Sequence, residues 1–141
     1  MNLQRIFEDK PLFKECIEAL DAEVLSVEET LKLKELFKKL YPIAAWGKID
    51  WNKIENKIVV GYEPQGIITA LERLLTDQFD PSVYILWSTK VRMIRTNIYK
   101  IIDHFDDVTC VSFEKFIFNP RQGYIIEILP SDLITIGVIK K

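Results

Sequence analysis

The chain has one histidine, His104, and it lies among aspartates, so it is the first residue to consider for chemistry. Asp103 precedes it, and Asp106 and Asp107 follow it in the segment IIDHFDDV. A histidine beside carboxylates can act as a general base or bind a metal ion. On a helix, however, residues 103 and 107 share one face, and residues 104 and 106 do not join it. The spacing therefore favours a surface or capping histidine, and acid–base catalysis stays as an alternative.

Gly61 and Gly66 have the spacing of a phosphate-binding loop and lie between a predicted strand and a predicted helix. Such a loop needs a lysine and a hydroxyl next, but Ile67 and Ile68 follow, and Glu63 would repel a phosphate. We therefore predict a plain strand-to-helix turn and no nucleotide or other cofactor. The serines lack a GxSxG elbow and the chain has no HxxxH pair, so neither a serine nucleophile nor a zinc site is predicted.

Composition limits the kind of protein and its partners. The 141 residues are 48% hydrophobic and 28% charged, which is typical of one globular domain. The net charge of −2 predicts no direct contact with nucleic acid. No segment approaches the roughly 18 apolar residues of a membrane span, and the N-terminus lacks a signal-peptide pattern, so we expect a cytoplasmic protein. Cys16 and Cys110 are too far apart in sequence for a metal motif and are expected to be buried free thiols, with a single disulfide bridge as the alternative.

Two amphipathic helices are predicted within residues 1–40. In the first, PLFKECIEALD, the apolar residues recur at helical spacing after Pro11. The second begins at a capping box formed by Ser26 and Glu29, and Pro42 ends it. Its predicted buried stripe consists of Leu33, Leu36, Phe37 and Leu40.

The sheet is predicted within residues 57–141. We expect strands at 57–62, 82–88 and 108–113, helices at 66–79 and 96–107, and then three strands separated by turns at 119–123 and 130–132. The helix over 96–107 should be capped by Thr96. Its aspartates should lie at its C-terminal end, where the macrodipole disfavours them, which is a mild indication of an outside partner. The prediction is a single α+β (or α/β) domain. Its helices pack on a mixed, mostly antiparallel sheet of about five strands that ends in a meander.

Aromatic residues are the best candidates for binding, because they supply large contact areas with few rotamers to freeze. Trp87 lies inside an apolar strand, so its side chain is expected to be buried in the hydrophobic core. Trp46 and Trp51 should point to opposite faces if their segment is extended, so one of them can be exposed. The two lysines that follow the last strand could guard an open sheet edge, which is compatible with an adaptor that binds a partner strand.

Four segments resemble the immunity proteins of bacterial contact-dependent growth inhibition and related polymorphic toxin systems. These are a WGxIxW element at residues 46–51, an apolar strand ending in Trp-Ser at 83–88, a helix ending in an acidic pair at 96–107, and a GYIIE strand at 123–127. The resemblance covers residues 41–138, and the N-terminal helices do not contribute to it.

The resemblance implies a non-catalytic cytoplasmic protein that forms a heterodimer with the C-terminal domain of its cognate toxin. Many such toxins are nucleases with basic substrate grooves, and acidic side chains would then act as a decoy for phosphate. Candidate interface residues are the acids Asp50, Asp103, Asp106, Asp107, Glu114 and Glu127 and the anchors Trp46, Trp51 and Tyr124. Two alternatives stay open, a small enzyme that uses His104 and a non-catalytic adaptor.

Overall fold

The structure is a computed structural model that describes residues 11–44, 47–76, 78–87, 91–112 and 114–139. Within these residues it contains five α-helices and a seven-stranded antiparallel sheet, which confirms the α+β single domain. The helices are α1 Pro11–Leu20, α2 Val27–Leu40, α3 Gly66–Leu74, α4 Ile98–Asp103 and α5 Phe105–Thr109. The strands are β1 Glu23–Val24, β2 Asn56–Gly61, β3 Ser82–Trp87, β4 Ile94–Asn97, β5 Lys115–Asn119, β6 Tyr124–Ile128 and β7 Ile134–Val138.

The strand order is β1-β4-β3-β5-β6-β7-β2, and every pairing is antiparallel. The predicted meander of the last three strands is confirmed as β5-β6-β7. The sheet has seven strands instead of about five. β1 and β4 were not predicted because they are only two and four residues long, too short to show an alternating pattern, and the strand predicted at 108–113 does not form.

The sheet is covered on both faces, which makes a three-layer arrangement. On one face, isoleucines of adjacent strands pair in a row that runs from β3 across β5 and β6 to β7, and helices α1, α3, α4 and α5 pack on it. On the opposite face, Phe116, Phe118 and Ile125 contact Phe37 and Tyr41 from the end of α2. The predicted core position of Trp87 is confirmed, with 2% of its surface exposed.

The two N-terminal helices form as predicted from residue 11 onward. The Ser26 hydroxyl accepts from the Glu29 N–H, and the Glu29 carboxylate accepts from the Ser26 N–H, so the capping box is present. One core prediction is wrong: Leu36 is 37% exposed, because Phe37 fills the contact with the sheet. None of the helices in the described ranges is long and apolar enough to cross a membrane.

The region 96–113 differs from the prediction. Thr96 lies in β4, and the Asn97 side chain caps α4 by accepting from the Lys100 N–H at 3.0 Å. The helix then breaks at His104, and α5 takes up Val108, which the pattern placed in a strand. Val108 is helical because its carbonyl accepts the Trp87 indole N–H at 3.0 Å and its side chain is buried in the core. Tertiary contacts therefore override the local β preference of this segment.

The last strand is not an edge. β7 lies between β6 and β2, so the expectation of a lysine-guarded edge there is wrong, and Lys140 and Lys141 fall outside the described residues. The cysteines are free, but Cys110 is exposed rather than buried. Burial, with a smaller contribution from the nearby Asp107 carboxylate, raises the pKa of the Cys16 thiol to about 12.

A polar network joins the start of β3 to the β5–β6 turn. Asp80 accepts from the Ser82 N–H and forms an ion pair with Arg121, while its own carbonyl accepts the Tyr124 hydroxyl. Burial alone would raise the pKa of the Asp80 carboxyl, but the Ser82 N–H, Asn119 and Arg121 together hold it below its ordinary value.

This network predicts a pH-dependent contribution to stability. The Asp80 carboxyl has a lower pKa in the folded chain than in the unfolded chain. Its ionised form therefore stabilises the fold fully at pH values above the ordinary carboxyl pKa, and this stabilisation is lost as the pH falls through the folded-state pKa. We expect Asp80→Asn to lower the free energy of unfolding by about 1 kcal/mol at pH 7 and by progressively less in acid. Urea unfolding from pH 7 to pH 3 measures this, with exposed Asp103→Asn as the control. An equal loss of unfolding free energy in Asp80→Asn at pH 7 and at pH 3 would contradict this prediction.

Candidate functional site

An acidic groove opens beside the break between α4 and α5. It has a volume of about 380 Å³. Its lining consists of Tyr62, Pro64, Gln65, Ile102, Asp103, His104, Phe105, Asp106, Asp107 and Asp132. The three aspartates that the sequence places around His104 therefore do lie together on one surface, and the β2–α3 and β6–β7 turns each add a wall to it. We call this surface the acidic groove.

The helix break explains how one surface comes to hold these aspartates. Since α4 ends at Asp103 and α5 begins at Phe105, Asp106 and Asp107 occupy the first turn of α5. The first N–H groups of a helix favour negative charge, so the expectation that both residues lie at a disfavoured helix end is wrong. Asp103, at the C-terminal end of α4, keeps the disfavoured position.

His104 is exposed at the rim of this groove. Its Nδ1 atom lies 3.7 Å from Oδ2 of Asp107, beyond hydrogen-bonding distance, and 44% of each side chain is open to solvent. A general base is ordinarily oriented by a hydrogen-bonded partner, and this pair lacks that geometry. The described part of the chain also brings no three His, Cys, Asp or Glu residues together in a way that could hold a metal ion.

Asp132 differs from the other groove aspartates because a buried lysine lies near it. Lys115 is 2% exposed, and burial lowers the pKa of its ammonium, while the charge of Asp132 opposes that shift. The negative charge of Asp132 is therefore partly matched from inside the fold. Asp103, Asp106 and Asp107 are the other carboxylates that line the groove.

Trp51 lies on the other face of the sheet, where it is held in place. Its indole Nε1–H donates to Oε1 of Glu127 at 2.9 Å, and the Ile49 N–H donates to Oε2 of Glu127 at 3.2 Å. Its ring packs on Gly137, where an added Cβ would lie 2.7 Å from Cζ3 of Trp51. The second tryptophan of the WGxIxW element is thus half-buried and attached to the closing strands.

Two predicted interface residues are buried, which corrects the expectation for them. Tyr124 has no exposed surface, and its hydroxyl donates to the Asp80 carbonyl. Glu127 is 5% exposed, and its carboxylate binds the 49–51 segment. Neither side chain is accessible to a partner in this conformation, so we leave both out of the proposed interface.

The remaining predicted interface residues do not form one group with the acidic groove. Asp50 is half-buried, 4.0 Å from the Lys53 ammonium, and it adjoins Ile49 on the sheet face opposite α4 and α5. Glu114 is half-buried. Trp46 falls outside the described residues.

The sequence pattern does not predict that Tyr62 and Asp132 belong to the groove. Tyr62 is 61% exposed, directly after β2, and it contributes an aromatic wall to the groove. The signal available for Tyr62 was its place in the polar turn GYEPQG, where a large aromatic has no core to enter. Asp132 reaches the groove through the pairing of β7 with β2, and no local pattern predicts that pairing.

Comparison with known proteins gives one match over most of the chain. The protein-family model described as CdiI immunity protein EcoliA0-like matches residues 10–137. No curated protein matches the chain.

Proposed function

Because the chain belongs to the CdiI immunity protein family, we propose that it binds and neutralises the C-terminal toxin domain of its cognate contact-dependent growth inhibition toxin. The two proteins form a heterodimer in the cytoplasm of the cell that makes both. The toxin domain is a nuclease, and the immunity protein blocks it by binding, without a catalytic step of its own.

The acidic groove is the observation that carries this proposal. A nuclease binds a phosphate backbone through lysine and arginine side chains, so its substrate surface attracts carboxylates. Asp103, Asp106 and Asp107 offer three negative charges beside the exposed ring of Tyr62. Arginine can pair with a carboxylate and stack on an aromatic ring, so this combination suits a basic partner surface. The same charges accelerate the encounter of the two proteins.

Two experiments test the proposal, one on the protection of cells from the toxin domain and one on the stoichiometry of its inhibition. The toxin domain is expressed in cells with or without this chain, and the purified domain is titrated in nuclease assays with DNA and RNA. We expect survival in the first test and complete inhibition at an equimolar ratio in the second, because a binding inhibitor is consumed by its target. Failure to protect, together with no complex in calorimetry, would refute the proposal.

Substituting the histidine separates inhibition from catalysis. We expect His104→Ala to keep both the equimolar end-point and the protection of cells, because the imidazole is exposed and lacks a hydrogen-bonded carboxylate. Its effect on affinity should stay within about twofold, as is usual for a solvated rim residue. Loss of protection while the variant still binds the toxin domain would instead favour the acid–base alternative. His104→Gln serves as the size-matched control.

A further inference from the structure

The two edges of the sheet differ in length. β1 closes one edge with two residues, whereas β2 forms the other with six. Among the described strands, β2 pairs with β7 alone, so its outer side presents backbone N–H and C=O groups without a neighbouring strand. Natural proteins often shorten an edge strand to prevent pairing, as at β1, but β2 is not shortened.

The β2 edge also carries exposed apolar surface. Val59 is 65% exposed and Tyr62 is 61% exposed, the two highest values among the large hydrophobic side chains of the described residues. Val59 lies opposite Thr135 on the sheet face that Trp51 covers only in part. An exposed β-branched residue in the middle of an open edge strand is what an added strand would cover.

The one charge within β2 is turned away from the edge. The Lys57 ammonium donates to the Trp51 carbonyl at 2.6 Å and so returns to the chain's own 3-10 turn, Trp51–Lys53. A lysine on an edge strand ordinarily deters pairing by standing beside the open backbone. On the other face, α3 packs on β2 through Ile58 and Val60. The strand is therefore held on both faces before any partner arrives.

We propose that an extended segment of the toxin domain pairs with β2 as an eighth strand and places a basic side chain in the acidic groove. This rests on the proposed function and specifies its mode of recognition. The register of β2 shifts between Val59 and Gly61, where the strand ends with a φ of 102°, and the next residue, Tyr62, is a wall of the groove. A segment that follows β2 in this direction passes Val59 and then meets Asp103, Asp106 and Asp107. The charge of the groove selects a lysine or arginine at that end of the segment.

The test places a charge at the centre of the edge. Val59→Lys is compared with Leu36→Lys, which makes the same kind of change at an exposed leucine of α2, 37% exposed. We expect Val59→Lys to weaken binding of the toxin domain about tenfold in calorimetry and Leu36→Lys to leave it unchanged. Both variants should keep the wild-type melting temperature, because both sites face solvent.

Hydrogen exchange gives a second measurement that needs no substitution. In the free protein the outward amides of residues 56–61 should exchange quickly, and in the complex they should become protected by the added strand. A complex of wild-type affinity for Val59→Lys, without new protection at 56–61, would overturn this inference and leave the proposed function standing. Absence of any complex would overturn both. A dimer of this chain that Val59→Lys disperses would show that the edge serves self-association and would also overturn the inference.

Discussion

Replacing Asp103, Asp106 and Asp107 together by asparagine should weaken the complex with the toxin domain by about 100-fold at low salt, mostly through slower association. Asparagine keeps the size and the hydrogen-bonding oxygen of each side chain, so the variant removes charge with little change of shape. Asp106 and Asp107 lie in the first turn of α5, where asparagine is also tolerated. The fold should therefore survive the triple change.

Stopped-flow kinetics at several salt concentrations measure this effect. The slope of the logarithm of the association rate against ionic strength should become shallower in the variant, because fewer charges steer the encounter. The matched control is Glu15, Glu18 and Glu72 to glutamine, three exposed acids of α1 and α3 outside the lining of the groove. An equal loss of association rate in both triple variants would show that the net charge of the chain, and not the position of the charges in the groove, determines binding.

Removing the buried carboxylate of Glu127 should lower the free energy of unfolding by about 3 kcal/mol. In Glu127→Ala the Ile49 N–H and the Trp51 indole N–H both lose their acceptor. Donors that stay buried without a partner carry the full cost of their desolvation, and the cavity left by the side chain adds to it. Chemical denaturation with fluorescence detection gives the change directly.

Glu127→Gln and Trp51→Phe complete this test. Glutamine keeps one acceptor but turns an N–H₂ group toward a donor, so we expect a smaller loss, about 1–2 kcal/mol. Trp51→Phe removes one of the two donors and keeps an aromatic ring over Gly137. In a double-mutant cycle the two sites should couple, with the combined loss below the sum of the single losses. Strict additivity would mean that the Glu127–Trp51 hydrogen bond contributes nothing.

Local pattern predicts α1, α2, α3 and the meander well, because their signals lie within a few residues of each other. The capping box of Ser26 and Glu29 and the turns on either side of β6 are examples. β1 and β4 carry no such signal, since strands of two and four residues form only where a neighbouring strand pairs with them. The position of β2 at an edge likewise depends on its pairing with β7, more than seventy residues away.

The residues proposed for the site also differ in how much of their position follows from local sequence and how much depends on tertiary structure. The common surface of Asp103, Asp106 and Asp107 depends on the helix break at His104, since an unbroken helix would turn Asp106 away from the other two, and only their closeness along the chain follows from sequence alone. The burial of Glu127 does not, because a polar residue that alternates with isoleucines in β6 usually faces solvent. Here that face is covered by residues 49–54, whose N–H groups need an acceptor. The glutamate is therefore a structural residue of the fold and is absent from the groove.

The pairing of β2 with β7 has a consequence for the timing of synthesis. A ribosome releases Asn56–Gly61 long before it releases Ile134–Val138, so β2 must wait for β7, the one strand it pairs with among the described residues, while the intervening chain is made. Asp132, in the turn before β7, completes the groove only after the same wait. The groove and the pairing of β2 are therefore completed together, once residues 132–138 have been made. A cell that makes both proteins would benefit from translating this chain before its toxin.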